Sequence, residues 1–494
     1  MLATKIIELL ADAQLYGKKL EGVMSALVND SRQVVQNSCF IAIKGTQFDG
    51  HHAMADIAKK GASVMMVEYL PEGWQNEPTL TFVKVPSTFR AQAILANAFY
   101  QEPTKQLNVV AITGTNGKTT TSTLISQLLM ALSRKTGVIG TLHYKVDQTY
   151  YPAVNTTPNA LVLQGLFAEM VEAQCQDAII EASSHALALG RLWYTDIDCA
   201  IFTNLTREHL DFHKTMDEYA YAKSLLFAQL GQQFHQGRPR LAIINADDPY
   251  ANKMMQATAA DILTYSIQKE ATVYATDLRA HDGKQTFCLH YQQRMYEVTI
   301  PMVGAYNVSN YLAAFLCLAS YYGFTADVIL EATEQLTGVE GRMQRIDEGQ
   351  NFNVVVDFAH TPDAIKRVLS ELKQQAPGRL VTITGHSGGN RDSGARPEIG
   401  DYVFEFSDDI IFTADNPRHE PFEKICQELI GSHNEKPYIL IEDREEAVAY
   451  AIQHAKAGDT LLFAGKGGEL YQIIGDEKLY YDEIATIRHY LKTK

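Results

Sequence analysis

Five apolar runs in the middle of the chain, VVAITGT, TGVIGTL, DAIIEASS, CAIFTNL and LAIINADD, each turn polar at their last residues. Their apolarity is near-continuous rather than alternating, which predicts strands of a mostly parallel sheet covered on both faces, with helices between them. Ligands gather at the carboxyl ends of such strands, where the polar residues of this chain fall. Residues 270–300 alternate more and predict antiparallel strands. Ahead of this block, CFIAIKG and ASVMMVEYL predict short strands of a smaller α/β unit, and FRAQAILANAFYQEPTK closes it with a helix and a proline-bearing linker. The opening MLATKIIELLADAQLYGKK predicts a short amphipathic helix. After the helical VILEATEQL, a third set of strands, NVVVDF, LVTITG, DIIFTAD and TLLFAG, begins near Gly341-Arg342. Three α/β domains are therefore expected, over residues 1–104, 105–337 and 338–494.

Composition narrows the class of protein. A chain of 494 residues is too long for one core. A net charge of −15 without a lysine or arginine block disfavours nucleic acid as partner. Six cysteines scattered singly, with no CxxC, point to reduced thiols and a cytoplasmic setting. No run of 18 apolar residues occurs; the richest, YLAAFLCLASYYGF, is broken by Ser320 and reads as a buried helix, so no membrane insertion is expected.

The strongest chemical signal is GTNGKTTT after the run LNVVAI. Gly114 and Gly117 let the backbone turn its N–H groups toward anionic oxygens, Lys118 can reach phosphates, and Thr119 or Thr120 can offer a hydroxyl to Mg²⁺. The loop is a shortened variant, because Ile112 stands where the strict pattern has glycine. In EASSHALALGR, a serine nucleophile is disfavoured for want of a G-x-S-x-G elbow, and Glu181 is a better metal ligand. TNLTREHLDFH offers Asn204, Arg207, Glu208, His209, Asp211 and His213, as metal-site groups or as a helix cap with surface histidines. The helix that follows, with Met216, Tyr219, Leu226 and Phe227 on its apolar spacing, carries Lys223, which taken alone reads as solvent-facing. Arg391, between glycine turns, and Arg418, in Asp-Asn-Pro-Arg, are rigid forks suited to a carboxylate. A triphosphate loop together with carboxylate-reading arginines suggests ATP-driven activation of an acid.

These motifs, in this order and over nearly the whole chain, resemble the Mur ligases of the MurE type. NDSRQV and KGTQFDGHH carry the likeness in the first domain. GTNGKTTT, NTTPN, EASSHALALGR, TNLTREHLDFH and NADD carry it in the second, and GRMQR, DFAHTPDA, DNPRHEP and GKGGELYQ in the third. The resemblance implies a three-domain architecture with a central P-loop domain and a Rossmann-like C-terminal domain. It implies an ATP- and Mg²⁺-dependent ligase that adds meso-diaminopimelate to UDP-N-acetylmuramoyl-L-alanyl-D-glutamate through an acyl phosphate, acting as a monomer. By the same resemblance Asp30, Ser31, Arg32, Thr46 and His52 would face the uridine diphosphate, and Asn155, Thr156, Thr157, Ser184 and Arg191 the muramyl dipeptide. Gly114 to Thr120 (Thr115 and Asn116 included), Asn307, Asn310, Arg342, Asp357 and His360 would hold ATP. Thr119, Glu181, His209 and a carbamylated Lys223 would hold metal, with Lys118 beside them, and this replaces the solvent-facing reading of Lys223. Arg391, Asp415, Asn416, Arg418, Gly465 and Glu469 would receive the amino acid. Asn390, Phe358, Gly468 and Leu189 depart from the family pattern, where aspartate, tyrosine, histidine and glutamine are usual. L-lysine as the added amino acid, a folylpolyglutamate-type ligase and a noncatalytic ATP-binding partner are the alternatives.

Overall fold

The computed structural model describes residues 1–45, 48–70, 73–74, 78–231, 234–235, 237–389, 393–433 and 435–494. The chain divides into two compact units, each assembled from separate stretches. The first takes Met1–Ala111, Ser133–Ala200 and Ala228–Arg240; the second takes Ile112–Leu132, Ile201–Phe227 and Leu241–Lys494. The strands Asn108–Thr113 and Cys199–Phe202 each begin in the first unit and end in the second.

In the first unit, five strands lie in the order Gln14–Gly17, Thr81–Lys84, Val64–Val67, Cys39–Ile41, Leu27–Val28. All neighbours run parallel except the first pair, where Gln14 opposes Lys84. Alternate residues of the central strands enter opposite cores: Cys39, Ile41, Val64 and Met66 pack on one face, Phe40, Met65 and Val67 on the other. That double burial explains the continuous apolar runs. The helix Thr88–Phe99 starts where Ser87 Oγ accepts the Arg90 N–H. The opening segment departs from expectation. Its helix covers only Lys5–Leu9, and Gln14–Gly17 is a strand instead. The backbone turns extended at Leu10, Asp12 adopts φ 59°, and the free edge of Thr81–Lys84 captures Gln14–Gly17. A second set of strands in this unit runs Asp177–Glu181, Thr136–Ile139, His143–Val146, Thr149–Pro152.

The second unit contains a strand series Leu241–Asn245, Asp261–Ser266, Val273–His281, Lys284–Tyr291, Arg294–Ile300, in that order. The first three are parallel and the last two antiparallel, as the alternation over residues 270–300 predicts. YLAAFLCLASYYGF lies at the end of a buried helix, Ala305–Leu316, extended by a wider turn over Cys317–Tyr322. The same unit holds a six-stranded sheet ordered Gln344–Arg345, Asn353–Asp357, Thr460–Ala464, Leu380–Thr384, Asp409–Phe412, Tyr438–Leu440. Its first pair is antiparallel and the rest parallel, with apolar cores on both faces. None of the six cysteines is in a disulfide, and among the described residues no helix is long and apolar enough to cross a membrane.

One close approach in this sheet's helical layer is testable. A Cβ on Gly400, in the helix Arg396–Phe406, would overlap the Leu429 carbonyl and lie 2.8 Å from its carbon, on the helix Phe422–Ile430. Gly400→Ala is expected to cost about 1–3 kcal/mol of stability, read as a lower urea midpoint against wild type.

Candidate active site

The phosphate loop is built by close backbone approach. A Cβ at Gly114 would overlap the Thr203 hydroxyl, and one at Gly117 (φ 87°) would overlap the Asn310 side-chain oxygen. Gly117 is the residue before the helix Lys118–Ala131, whose first-turn amides are an anion site in waiting. The strand-end residues Thr203 and Asn204 hold the loop in shape. Thr203 Oγ1 donates to Asn116 O at 2.6 Å, Asn204 Nδ2 donates to the same oxygen at 3.0 Å, and Asn116 N–H donates to Asn204 Oδ1 at 2.9 Å. Lys118 Nζ donates to the carbonyls of Gly114 at 2.9 Å and Thr115 at 2.8 Å.

Lys223, on the helix Met216–Ala228, is only 1% exposed. Its Nζ donates to Gly114 O at 2.8 Å and sits 4.6 Å from the centre of the Tyr219 ring. The residue is enclosed rather than solvent-facing: its position follows the apolar stripe, and the loop carbonyl supplies the partner that burial demands. Burial, reinforced by the charge of Lys118, drives the Lys223 amine well below its ordinary range. Nearby, Glu208 lies 3.5 Å from both His209 Nε2 and His360 Nε2. Burial opposes its charge, yet His209, His360 and Lys118 together hold its carboxyl below the usual carboxylate range. His209 itself takes φ 57° and precedes the short helix Leu210–His213, so Asp211 lies inside that helix rather than capping it. His213 is buried against Tyr219, not on the surface.

The other ATP-side candidates of the second unit gather in the same region. Arg342 donates to Thr119 Oγ1 at 3.1 Å and stacks 4.3 Å above the Phe358 ring. Asp357 accepts the N–H groups of Met343 at 2.6 Å and Ala359 at 2.7 Å, while burial pushes its carboxyl up. Asn116 Nδ2 reaches Asp363 at 3.2 Å. Asn307 and Asn310 are buried on the helix Ala305–Leu316, with Asn310 Nδ2 donating to Asn307 Oδ1 at 3.4 Å. Thr120 is buried in the first turn after the loop.

Glu181 belongs to the first unit and ends the strand Asp177–Glu181. It accepts the backbone N–H of Thr141 at 3.0 Å and the Thr141 hydroxyl at 2.9 Å. Thr156 meets that hydroxyl at 3.0 Å, Thr157 donates to Glu181 O at 2.6 Å, and Arg191 donates to Thr157 O at 2.7 Å. Asn155 O accepts from Tyr144 at 2.6 Å, and Ser184 is buried in the helix that Ser183 caps. Thr156, Thr157 and Arg191 thus join Glu181 in one hydrogen-bonded cluster, and Ser183 caps the helix Ser184–Ala188. Leu189 ends that helix.

Farther along the first unit, Asp30 caps the short helix Ser31–Gln33 and pairs with Arg32 at 2.6 Å, which holds its carboxyl down at about 2. His52 is exposed, whereas His51 is buried with Nδ1 donating to Asp49 Oδ1 at 2.6 Å and Nε2 accepting from Glu68 N–H at 2.9 Å. Thr46, Arg391 and Asn390 lie outside the described residues.

The amino-acid candidates surround a fully buried lysine that sequence reading did not single out. Lys466 Nζ lies 3.1 Å from Asp415, donates to Asn416 Oδ1 at 2.8 Å and sits 3.5 Å from Glu469. Burial would raise the Asp415 carboxyl, but Lys466 and Arg444 hold it below its ordinary range. Asn416 Nδ2 reaches Glu469 at 3.4 Å, and Gly465 N–H donates to Asp357 O at 3.0 Å. Arg418, at φ 53°, donates to Gly388 O at 2.9 Å. A Cβ at Gly341 would overlap the Gly468 backbone nitrogen, so the turn carrying Arg342 touches the turn carrying Glu469. Thr203 and Lys466 are the residues that motif reading left without a role. Their only signal was polarity just past a strand end. Among the described residues, no three His, Cys, Asp or Glu side chains converge as a metal-holding group.

A phosphate loop, a buried lysine beside it and a separate charged pocket in one unit define a nucleotide-driven acid-activating enzyme. The Mur ligase middle domain matches residues 112–318, and the Mur ligase glutamate ligase domain matches residues 341–467. The UDP-N-acetylmuramoyl-L-alanyl-D-glutamate–2,6-diaminopimelate ligase of Geobacillus kaustophilus is 42% identical over 477 residues, 95% of each chain. The ligase of the same description from Bacillus licheniformis is 40% identical over 484 residues, 98% of each chain. A solved structure of a ligase with that description superposes with a TM-score of 0.67 at 30% identity, covering 100% of this chain and 99% of the other. The chain belongs to the Mur ligase family.

Two predictions follow from the site's geometry. Gly117→Ala forces a side chain into the left-handed region and onto Asn310, and should weaken ATP binding about 5- to 30-fold, the equivalent of ~1–2 kcal/mol, measured by calorimetric titration. His386 is held at about 4, first by burial and then by the charge of Arg396. It therefore stays neutral in the folded protein while the unfolded chain takes up a proton below about pH 6.5. Stability should fall as pH drops from about 6.5 toward about 4, and His386→Gln should flatten that slope in urea titrations.

Proposed function

We propose that this protein is the ATP-dependent ligase that adds meso-2,6-diaminopimelate to UDP-N-acetylmuramoyl-L-alanyl-D-glutamate in peptidoglycan precursor synthesis. The observation that carries the reading is likeness to ligases of that description along almost the entire chain, at 42% identity. The three stretches 1–104, 105–337 and 338–494 are proposed to bind the UDP substrate, ATP and the incoming amino acid in turn.

The reaction joins two acidic reactants. The D-glutamyl carboxylate takes the terminal phosphoryl group of ATP and ADP leaves; the amine then attacks the acyl carbon, a proton is lost and phosphate departs. In the proposed assignment Lys118 moves from the loop carbonyls to the phosphate oxygens and screens their charge. Gly114 to Thr120 wrap the phosphates, Arg342 and Asp357 anchor the nucleotide, and Asn307 and Asn310 lie toward its base.

The donors near the loop suit a hard cation such as Mg²⁺ if Lys223 is carbamylated. The amine is driven toward its neutral form, the form that reacts with carbon dioxide, and the product is an anionic oxygen donor. Thr119 and His209 complete the proposed metal set within the second unit. When bound, the ion supplies charge screening for the phosphates. Arg418 is proposed to fork onto the second carboxylate of diaminopimelate, a group that L-lysine lacks. Arg391, Asp415, Asn416, Gly465 and Glu469 would face the rest of that amino acid.

Phosphate release with ATP and the UDP-dipeptide should be supported by meso-diaminopimelate and about 10²-fold or more less efficiently by L-lysine. Equal turnover of the two would refute the assignment of Arg418. Lys118→Ala should retain UDP-substrate binding by calorimetry yet abolish phosphate release, and near-normal release would remove Lys118 from the phosphate site.

A further inference from the structure

Beneath the proposed amino-acid pocket lies an arginine with no assigned role. Arg396 opens the helix Arg396–Phe406 and its side chain is fully buried. A buried guanidinium must find acceptors for its N–H groups, and this one finds them on two loops and on the helix Phe422–Ile430. Nη1 donates to Glu420 Oε1 at 2.9 Å and to Glu428 Oε2 at 2.6 Å; Nη2 donates to Glu420 Oε2 at 2.8 Å and to the Ser387 carbonyl at 3.1 Å. Nε donates to His386 Nδ1 at 3.3 Å. The fork onto Glu420 is bidentate, the geometry that adds orientation to attraction.

Glu420 passes the constraint on. Its Oε2 accepts the Gly389 N–H at 3.1 Å. The same stretch then meets the pocket directly. Ser387 Oγ donates to Asp415 at 2.8 Å, Gly388 N–H donates to Asn416 O at 2.9 Å, and Gly388 O accepts from Arg418 Nη1 at 2.9 Å. No slack exists at the crossing, because a Cβ on Gly388 would overlap the Pro417 carbonyl. Arg396 is thus bonded both to the turn that presents Arg418 and to the segment 386–387 that abuts it, and among the described residues its hydrogen bonds go to none of the proposed amino-acid contacts.

We infer that Arg396, acting through Glu420 and the backbone of residues 387–389, is the positioning residue that aims Arg418 at the distal carboxylate of the amino acid. The inference rests on the function proposed above. It makes substrate discrimination depend on a buried ion pair outside the pocket as well as on the arginine that touches substrate. A lysine at 396 keeps the charge but cannot grip Glu420 with two parallel bonds.

The test is steady-state kinetics on the full chain carrying Arg396→Lys or Glu420→Gln, with ATP, the UDP-dipeptide and the amino acid varied in turn. Loss of an oriented, charge-assisted contact should raise KM for meso-diaminopimelate about 10- to 100-fold. KM for ATP and for the UDP-dipeptide should stay within about twofold, with kcat largely kept, and the preference over L-lysine should shrink. An unchanged KM for diaminopimelate, or a parallel fall of all parameters, overturns the inference. If Arg396→Lys fails to fold, Glu420→Gln decides by the same criteria. If wild type ignores diaminopimelate but turns over another amine, the functional reading fails, and KM for that amine in the two variants judges the clamp separately.

Discussion

Two lysine side chains converge on one backbone carbonyl, that of Gly114, at 2.9 Å from Lys118 and 2.8 Å from Lys223. Bringing two such groups out of water toward each other is unfavourable by several kcal/mol per ion, so much of the surrounding structure compensates for it. Tyr219 offers its ring face to Lys223, and Glu208 offers a half-buried carboxylate to the whole group. The depressed Lys223 amine follows from the same crowding. A phosphate group entering this loop would meet Lys118 and the first-turn amides, which favour an anion without any help from the chain's net charge of −15.

The second charged centre of this unit solves the burial problem differently. Lys466 is enclosed by Asp415, Asn416, Glu469 and the Tyr471 carbonyl, so its charge is matched locally. Arg444 and Glu483 form a neighbouring buried pair that also reaches the Ala464 carbonyl. These pairs lie at the ends of Asp409–Phe412 and Thr460–Ala464, two strands of a parallel sheet. Strand ends in such sheets present polar groups that need partners, and the partners chosen here shape a pocket as well as satisfying the backbone. His209, Met343 and Arg418 all adopt positive φ within these loops. Non-glycine residues held there cost of order 1–3 kcal/mol each, and the surrounding hydrogen bonds keep them in place.

The strand positions, the parallel character of the sheets and the phosphate loop were readable from local pattern. Continuous runs such as VVAIT and TLLFA become strands buried on both faces, because such a sheet leaves no face for polar residues. The loop was readable because only glycine tolerates the approach of Thr203 to Gly114 and of Asn310 to Gly117. Helix ends were less readable: the opening helix stops at Leu9 because a sheet edge competes for Gln14–Gly17.

What the sequence alone could not decide is which charged groups are enclosed together. Helical spacing taken alone leaves Lys223 solvent-facing, and what encloses it is the Gly114 carbonyl, 109 positions away. Glu208 and His360 are brought within 3.5 Å only by the tertiary fold, and Arg396 gains its meaning from Glu420 and Glu428 on other segments. Periodicity and turn chemistry act between near neighbours, so they fix most of the strands and the glycine loop. The electrostatics of a buried ion depend on partners distant along the chain and on exclusion of water, and those were decided by the tertiary structure.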